Sequence, residues 1–335
     1  MKIYDDYLNK IRFAMDNGRK SSSVISKSLS SFDGGVNSFN YSNFAAGIPN
    51  DSLLPSISQL ATIVGNNPAF NQKPGQHPDF AHLKKTNNIE NHYVVSMFID
   101  IKNSTGLFKR YSPDTVFGIT NTIQKAAIHT TLIFGGYVQR LQGDGLFVYF
   151  GRKNQLQKTA LENSLQSASV FSYFVKTDLR KLFDEEGVEA IYTRIGIDIG
   201  NDQDTVWASA GMGEISEVTT CGLHTSLAVK MQSSAASNGI VAGDNVKSII
   251  QSDFFSPVSK RKNDENERYI FIDKDAGYYY TQYDFDWERY LRGLTYIATD
   301  PVTGNLSLKL PVAVTSRSIP SMAPIAVVSK PFYRE

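Results

Sequence analysis

The sequence predicts a compact domain of mixed helices and strands over residues 91–275, and three observations indicate it. The run from Tyr93 to Ile101 is almost continuously apolar, which is typical of a strand buried on both faces. Residues 137–150 have the composition of a β-hairpin that turns at Asp144-Gly145. Apolar residues recur at helical spacing between these segments and after them. We therefore expect a buried strand, a helix, a hairpin and further helices and strands.

Local signals define the remaining elements. Ser112 is a natural N-cap and Pro113 favours the first helical position, so a helix is expected to begin there and to end at Gly135-Gly136. The other expected elements are a helix through Leu161 to Leu182, a strand from Tyr192 to Ile199 and a helix from Leu223 to Ala236.

Two extensions are expected to flank this domain. Residues 1–90 begin with a predicted helix from Tyr4 to Met15 and continue through a Ser- and Gly-rich stretch at 21–35. Residues 276–335 are rich in aromatic side chains and, further on, in proline. Because so many side chains can be buried there, we expect this second extension to dock on the core or on a partner subunit.

The composition excludes several classes of protein. The 335 residues carry a net charge of +1, which gives no electrostatic reason to expect a nucleic-acid partner. No apolar run approaches the roughly 18 residues of a membrane span, so no membrane partner is expected. The single cysteine, Cys221, fits a reducing compartment. We expect a soluble, cytoplasmic protein.

Two carboxylates stand out as candidate metal ligands. Asp100 ends the apolar strand and Asp144 lies at the hairpin turn. Each alone is equally consistent with a turn or cap residue. Together they would meet at one edge of the sheet, and like charges that close favour a cation between them. Such oxygen ligands suit Mg²⁺ or Mn²⁺ carrying phosphates, for which the turn from Lys102 to Gly106 offers donors.

At these motifs the chain resembles the class III nucleotidyl cyclases, the adenylyl and guanylyl cyclase catalytic domains. The resemblance covers about residues 92–273. The matching segments are Phe98-Ile99-Asp100-Ile101 with Ser104-Thr105, Gly135-Gly136, Gly143-Asp144-Gly145, Arg194 to Gly200, Gly222 to Met231 and Gly239-Ile240-Val241. It implies an α+β, ferredoxin-like fold with a central, mostly antiparallel sheet flanked by helices.

The resemblance also implies a homodimer with head-to-tail, interfacial active sites and a nucleoside triphosphate substrate. Two Mg²⁺ or Mn²⁺ ions per site would be held by Asp100, Asp144 and the main-chain carbonyl of Ile101. The remaining roles map onto substrate-binding residues and two catalytic residues. The substrate-binding set is Asn103, Ser104, Thr105, the base readers Arg140 and Thr219, and a phosphate-binding Lys260 (with Arg261 and Lys262 as alternatives); the catalytic set is Ser226 and Lys230.

The altered base readers suggest a changed base. Purine cyclases carry Lys or Glu where this chain has Arg140, and the chain is similar to the bacterial pyrimidine cyclases of Pycsar antiphage systems. That similarity implies a cyclic UMP or cyclic CMP product that a separate effector binds. The residues do not separate UTP from CTP, and the resemblance favours UTP as the substrate of the commoner product. A conventional adenylyl cyclase and a cyclase-like module without turnover are the alternatives, the second because Ser226 and Lys230 replace the family's Asn and Arg. A template-dependent polymerase shares the aspartate geometry, but the sequence offers no basic surface for it.

Overall fold

The computed structural model describes residues 1–19 and 39–309. The Ser- and Gly-rich stretch at 21–35 and the prolines from Pro311 onward lie outside the described residues. The helices are α1 (Asp5–Gly18), α2 (Tyr41–Ala46), α3 (Pro55–Val64), α4 (Pro113–Ile133), α5 (Gln157–Tyr173), α6 (Arg180–Glu185), α7 (Leu223–Ser234), α8 (Asp244–Ile250), α9 (Val258–Lys262) and α10 (Trp287–Arg292). The strands are β1 (Ile89–Asn91), β2 (Val94–Lys102), β3 (Tyr137–Gln142), β4 (Gly145–Phe150), β5 (Tyr192–Gly200), β6 (Val206–Met212), β7 (Ile215–Cys221), β8 (Gly239–Gly243), β9 (Phe255–Pro257), β10 (Tyr269–Asp273), β11 (Tyr278–Phe285), β12 (Ile297–Thr299) and β13 (Leu306–Leu308).

The central sheet has the strand order β10-β11-β8-β5-β2-β4-β3, and β9 pairs with β11. Its strand pairs are antiparallel except β5 with β8, which is parallel. Strand β2 lies in the interior of the sheet, and Val94 to Ile99 are all buried. The predicted α+β architecture, with helices flanking a mostly antiparallel sheet, is confirmed.

The predicted helices and strands agree closely with the structure. Helix α4 begins at Pro113 with Ser112 at the N-cap, as expected. The hairpin is also present, but its turn residues are Gly143 and Asp144, one position earlier than predicted. The physical reason is that Gly143 takes the left-handed conformation, with φ of 59°, and Gly145 already pairs with Gln142.

Helix α7 lies directly on the sheet because Gly196 of β5 has no side chain. A Cβ atom at this position would be 2.1 Å from the carbonyl oxygen of Ala228 and 2.4 Å from the amide nitrogen of Gln232. The buried face of α7 includes Leu227, Ala228 and Met231. This close approach fixes which residues of α7 face outward.

Strand β11 belongs to the central sheet, although its residues follow the domain boundary expected at 275/276. It pairs with β8 on one side and with β10 on the other, and the boundary falls in the turn between β10 and β11. Tyr280, Tyr283 and Phe285 are buried there. The aromatic residues after 276 therefore pack on the core as a sheet strand, while the division of the chain into three regions stays a prediction.

A second, smaller sheet and an N-terminal helix pack beside the central sheet. A three-stranded sheet, β1-β6-β7, projects its β6–β7 ribbon beside β3, where Gln139 Nε2 donates to the carbonyl oxygen of Val218 at 2.9 Å. Helix α1 packs on α4, and the Tyr7 hydroxyl bonds to His129 Nδ1 at 2.5 Å. Within residues 1–19 and 39–309, no helix has the length and apolar character needed to cross a membrane.

Candidate active site

Asp100 lies near the end of β2 with its side chain 34% exposed. Arg194, its cross-strand partner on β5, donates from Nη2 at 2.6 Å and from Nε at 3.2 Å. Gln232 of α7 donates to the same carboxylate at 3.1 Å. Since all three hydrogen bonds reach Oδ2, the Asp100 carboxylate is held in place by one oxygen and presents the other.

Asp144 lies in the turn between β3 and β4, next to Asp100 across the sheet. Strand β4 pairs with β2 so that Ile99 faces Leu146, and continuing this register by two residues places Ile101 opposite Asp144. Gln124 of α4 donates to the carbonyl oxygens of Gly143 at 3.0 Å and Gly145 at 3.3 Å, which fixes the turn. The antiparallel register thus brings Asp100, Ile101 and Asp144 to one end of adjacent strands.

The segment after β2 turns sharply at Asn103, which has a φ of 70°, and continues as a 3₁₀ turn over Ser104–Lys109. Ser104 and Asp144 both line one cleft of about 270 Å³, so the two residues border the same space. The Asn103 side chain donates to the carbonyl oxygen of Ala190 at 2.9 Å, and Thr105 is exposed. The turn is therefore anchored by Asn103 beside the aspartates.

Arg140 of β3 forms an ion pair with Glu217 of β7, with Nε 3.3 Å from Oε2 and a closer contact from Nη2 to Oε1. Thr219 follows two residues after Glu217 and therefore lies on the same face of the strand. The Thr219 hydroxyl is 3.4 Å from the Tyr149 hydroxyl. The two expected base readers, Arg140 and Thr219, are thus on neighbouring strands, and Glu217 contacts Arg140 and shares a face of β7 with Thr219.

Glu217 was missed by the sequence analysis. Its alternation with Thr219 along β7 is the signal that would have found it, because residues two apart on a strand share a face. Its partnership with Arg140 depends on how the β6–β7 ribbon packs against β3, which the sequence alone does not indicate.

Ser226 and Lys230 lie four residues apart on the exposed face of α7, with the partly exposed Val229 between them. The Ser226 hydroxyl is 3.5 Å from the carbonyl oxygen of Gly222, a contact within the helix. Among the contacts of the described residues, none joins Ser226 or Lys230 to Asp100 or Asp144. Within the described residues, no direct contact therefore joins the two halves of the expected site in one chain.

Lys260 is exposed on the short helix α9. Its two alternatives are already engaged: Arg261 Nε is 2.9 Å from Asp284 Oδ2 and its Nη2 donates to the carbonyl oxygen of Ser234 at 2.8 Å, and Lys262 Nζ is 2.9 Å from Glu267 Oε2. Of the three cations, Lys260 is the one that no ion pair among the described residues occupies.

Comparison with known proteins identifies relatives for most of the chain. It is 36% identical over 250 residues to a cytidylate cyclase of Staphylococcus aureus, which covers 73% of this chain and 58% of that protein. It is 33% identical over 240 residues to a cytidylate cyclase of Escherichia coli, covering 67% of this chain and 50% of that protein. The chain is homologous to cytidylate cyclases. It spans about half the length of these curated relatives.

No family model matches the chain. Solved structures with a similar fold include the adenylyl cyclase CyaB from P. aeruginosa (TM-score 0.48, 18% identity, 59% of this chain and 95% of that one) and the guanylyl cyclase Cya2 (TM-score 0.46, 16% identity, 58% and 92%).

Asp100, Ile101 and Asp144 lie at one end of adjacent strands, and their oxygen atoms suit a hard divalent cation that also binds substrate. The described residues contain no group of three or more His, Cys, Asp or Glu side chains that could enclose a metal ion. Two carboxylates and one carbonyl oxygen would therefore supply only part of the coordination shell of a divalent cation. Phosphate oxygens or water can supply the remaining ligands. Arg194 offsets part of the negative charge at Asp100. The residues present thus suit an ion that arrives with a nucleotide.

Proposed function

We propose that this protein converts a pyrimidine nucleoside triphosphate, CTP, into the 3′,5′-cyclic nucleotide and pyrophosphate. The observation that carries the proposal is the adjacent placement of Asp100, Ile101 and Asp144 in a chain that is 36% identical to a cytidylate cyclase. The sequence alone did not separate UTP from CTP, and only the resemblance favoured UTP. The names of the homologues favour CTP instead, and CTP is therefore the proposed substrate.

Asp100, Asp144 and the Ile101 carbonyl would hold two Mg²⁺ or Mn²⁺ ions at the substrate phosphates. When bound, such ions lower the pKa of the ribose 3′-hydroxyl and offset charge on the phosphoryl oxygens. The 3′-oxygen forms a bond to the α-phosphorus, the bond to the β-phosphate bridging oxygen breaks, and pyrophosphate leaves while the hydroxyl proton passes to solvent. Ser104 and Thr105 orient the phosphates from the turn.

Arg140 and Glu217 suit a cytosine base. A guanidinium donates to the O2 and N3 acceptors of cytosine, and a carboxylate accepts from its N4 amino group. Uracil carries an oxygen at that last position, which a carboxylate repels. The ion pair between the two side chains therefore supports CTP over UTP, with Thr219 beside them as a further contact.

We propose a head-to-tail homodimer in which the partner chain supplies Ser226 and Lys230 to the aspartate half. Their exposure on the outer face of α7 supports this arrangement. Lys230 would offset the negative charge that develops on the triphosphate, Ser226 would hydrogen-bond the ribose or phosphate, and Lys260 would bind the terminal phosphates.

The resemblance to Pycsar cyclases supports a cytoplasmic role in which the cyclic nucleotide acts as a second messenger of antiphage defence for a separate effector. Infecting cells that carry this protein and measuring cyclic CMP tests the role. We expect a rise in cyclic CMP after infection; a constant level would contradict it.

The activity itself is tested by incubating the full chain with Mn²⁺ and all four nucleoside triphosphates together and identifying products by mass spectrometry. We expect cyclic CMP and pyrophosphate as the main products. Cyclic UMP would reverse the base assignment, and cyclic AMP would favour a conventional adenylyl cyclase. Nucleotide binding without pyrophosphate release would favour the module without turnover.

A further inference from the structure

A buried polar cluster lies at the start of α7 and joins four elements. Asp198 of β5 has no exposed surface. Its Oδ1 accepts a hydrogen bond from the Tyr280 hydroxyl of β11 at 2.8 Å, and its Oδ2 is 3.0 Å from His224 Nδ1 of α7. The backbone N–H of Asn245 in α8 donates to the Tyr280 hydroxyl at 3.0 Å. The side-chain amide of Asn245 is 3.3 Å from His224 Nε2, so both ring nitrogens are engaged.

This cluster is costly to bury, which suggests that it does more than fill space. Burial raises the pKa of Asp198, whereas the contacts with His224 and Tyr280 act in the opposite direction. The fold leaves room for the carboxylate, because a Cβ atom at Gly243 would be 2.2 Å from Asp198 Oδ1. A buried polar network whose members are all hydrogen-bonded can make the core rigid and specify one arrangement of it.

The cluster acts on α7 through His224, which lies in the first turn of that helix. The next residue, Thr225, is 3.0 Å from the Ser96 hydroxyl of β2, and Gln232 near the other end donates to Asp100. Hydrogen bonds therefore hold helix α7 to the sheet near both of its ends. Ser226 and Lys230 are exposed between these two contacts.

We propose that Asp198 and Tyr280 are positioning residues which, through His224, fix the rotation and depth of α7 and so place Ser226 and Lys230 for the reaction. The catalytic part of this inference rests on the proposed function. Asp198 and Tyr280 are buried, with 0% and 2% of their surface exposed, so they would act through α7 and not by binding substrate. Tyr280 comes from β11, so a strand distant from the aspartates in sequence contributes to the geometry of the active site.

Tyr280→Phe tests the inference, since it removes one hydroxyl from the cluster and keeps the ring. The matched control is Tyr283→Phe on the same strand, whose hydroxyl donates to Asp244 at 3.0 Å. We expect Tyr280→Phe to lower kcat about tenfold with KM for CTP within about twofold, and the control to change neither. Asp198→Asn, which keeps the side-chain volume, is expected to change kcat in the same direction.

Two further measurements separate positioning from a general loss of stability. If Tyr280 acts through α7, the losses from Tyr280→Phe and Lys230→Ala are less than additive; additive losses would overturn the inference. Amide hydrogen exchange over residues 223–232 needs no turnover. It therefore tests whether Tyr280 stabilises α7 even if the wild type makes no cyclic pyrimidine nucleotide. Faster exchange in Tyr280→Phe than in Tyr283→Phe supports the inference, and equal exchange in the two variants refutes it.

Discussion

Asp100 and Asp144 sit side by side, but their charges are balanced differently. Asp100 is paired with Arg194 and also receives a hydrogen bond from Gln232, whereas no ion pair of Asp144 is found within residues 1–19 and 39–309. The positive charge of Arg194 offsets part of the repulsion between the two neighbouring carboxylates. The same arginine leaves one oxygen of Asp100 accessible, so pairing and metal binding are compatible.

Replacing either carboxylate by its amide tests the metal assignment. We expect Asp100→Asn and Asp144→Asn each to lower kcat by about a hundredfold or more, because an amide oxygen carries no charge to hold a divalent ion. Mass-spectrometric turnover assays with Mn²⁺, and circular dichroism for the fold, are the measurements. Asp253→Asn is the matched control, since Asp253 is also paired with an arginine, Arg289, but on the surface. Activity within about threefold of wild type in either site variant would contradict the assignment.

Glu217 provides the test of base selection. We expect Glu217→Ala to reduce the preference for CTP over UTP about tenfold, since the acceptor for the cytosine amino group is lost. Competition assays with equal CTP and UTP measure this ratio directly. Glu214→Ala on the same ribbon is the control, because Glu214 pairs with Lys85 and not with Arg140. An unchanged ratio in Glu217→Ala would remove Glu217 from base selection.

At the scale of single residues, the sequence predicted the two aspartates, because each lies within a distinctive local sequence motif. It did not predict that Arg194 pairs with Asp100 or that Glu217 pairs with Arg140. Both contacts join different strands, and such contacts depend on register and on sheet packing, which local sequence does not determine.

At the scale of secondary-structure elements, the proposed active site depends most on the position of helix α7. It rests against β5 at Gly196, where the helix backbone approaches closely. Its outer face carries Ser226 and Lys230, and its inner face is buried. A shift of the helix away from the sheet would therefore move both outward residues together.

Gly196→Ala tests this dependence. The added methyl group would overlap the backbone of α7, so we expect a loss of about 2 to 3 kcal/mol in the free energy of unfolding together with a fall in kcat. Urea denaturation and turnover assays measure the two effects. Gly293→Ala is the control, because a Cβ there would be 3.3 Å from its nearest neighbour, the carbonyl oxygen of Tyr290. Wild-type stability in Gly196→Ala would show that α7 does not need the close approach.

The order of β2, α4, the β3–β4 hairpin, β5 and α7 followed from periodicity and caps, whereas β6 and β7, which lie between β5 and α7, were not predicted. The place of β11 in the sheet was not predicted either, because an aromatic, alternating segment can pair with any free sheet edge. The turn of the hairpin was displaced by one residue since Gly143 and Gly145 both suit a turn, and only the register decides between them.

At the scale of the whole molecule, the segment before β2 is part of the packed structure. His77 is buried against Phe80, Tyr137 and Trp207, and His129 is buried beside Tyr7. Burial lowers the pKa of each histidine to about 4. Both residues lie where the first ninety residues meet the sheet and its helices, so this contact is sensitive to acid.

This sensitivity gives a prediction of pH dependence. Between pH 7 and pH 5 the unfolded chain takes up protons at these histidines while the folded chain does not, so stability falls as the pH falls. We expect each histidine to contribute about 2 kcal/mol of this loss, and His129→Gln to reduce the loss by that amount. Urea denaturation at both pH values measures it. His82→Gln is the control, since His82 is exposed; an equal reduction there would contradict the assignment.

The proposed dimer predicts complementation between inactive variants. In a head-to-tail dimer of Asp144→Asn with Lys230→Ala, one of the two sites combines intact halves, so an equal mixture should recover about a quarter of wild-type activity. Mixing Asp144→Asn with Asp100→Asn is the control, because both changes affect the same half and no site is restored. If the first mixture stays inactive after subunit exchange, the interfacial site is refuted.

The position of β11 in the sheet has a consequence for a protein that is still being synthesised. Residues that form α7 and β8 are translated before β11, so until residue 285 is added one edge of β8 has no strand to pair with. An incomplete chain that ends at residue 275 already contains Asp100, Asp144, Ser226 and Lys230, yet it lacks Tyr280. Premature termination there would therefore yield a product that has every proposed catalytic side chain but lacks the β11 contact that helps to place α7, so we expect nascent chains to reach full activity only after β11 has been added.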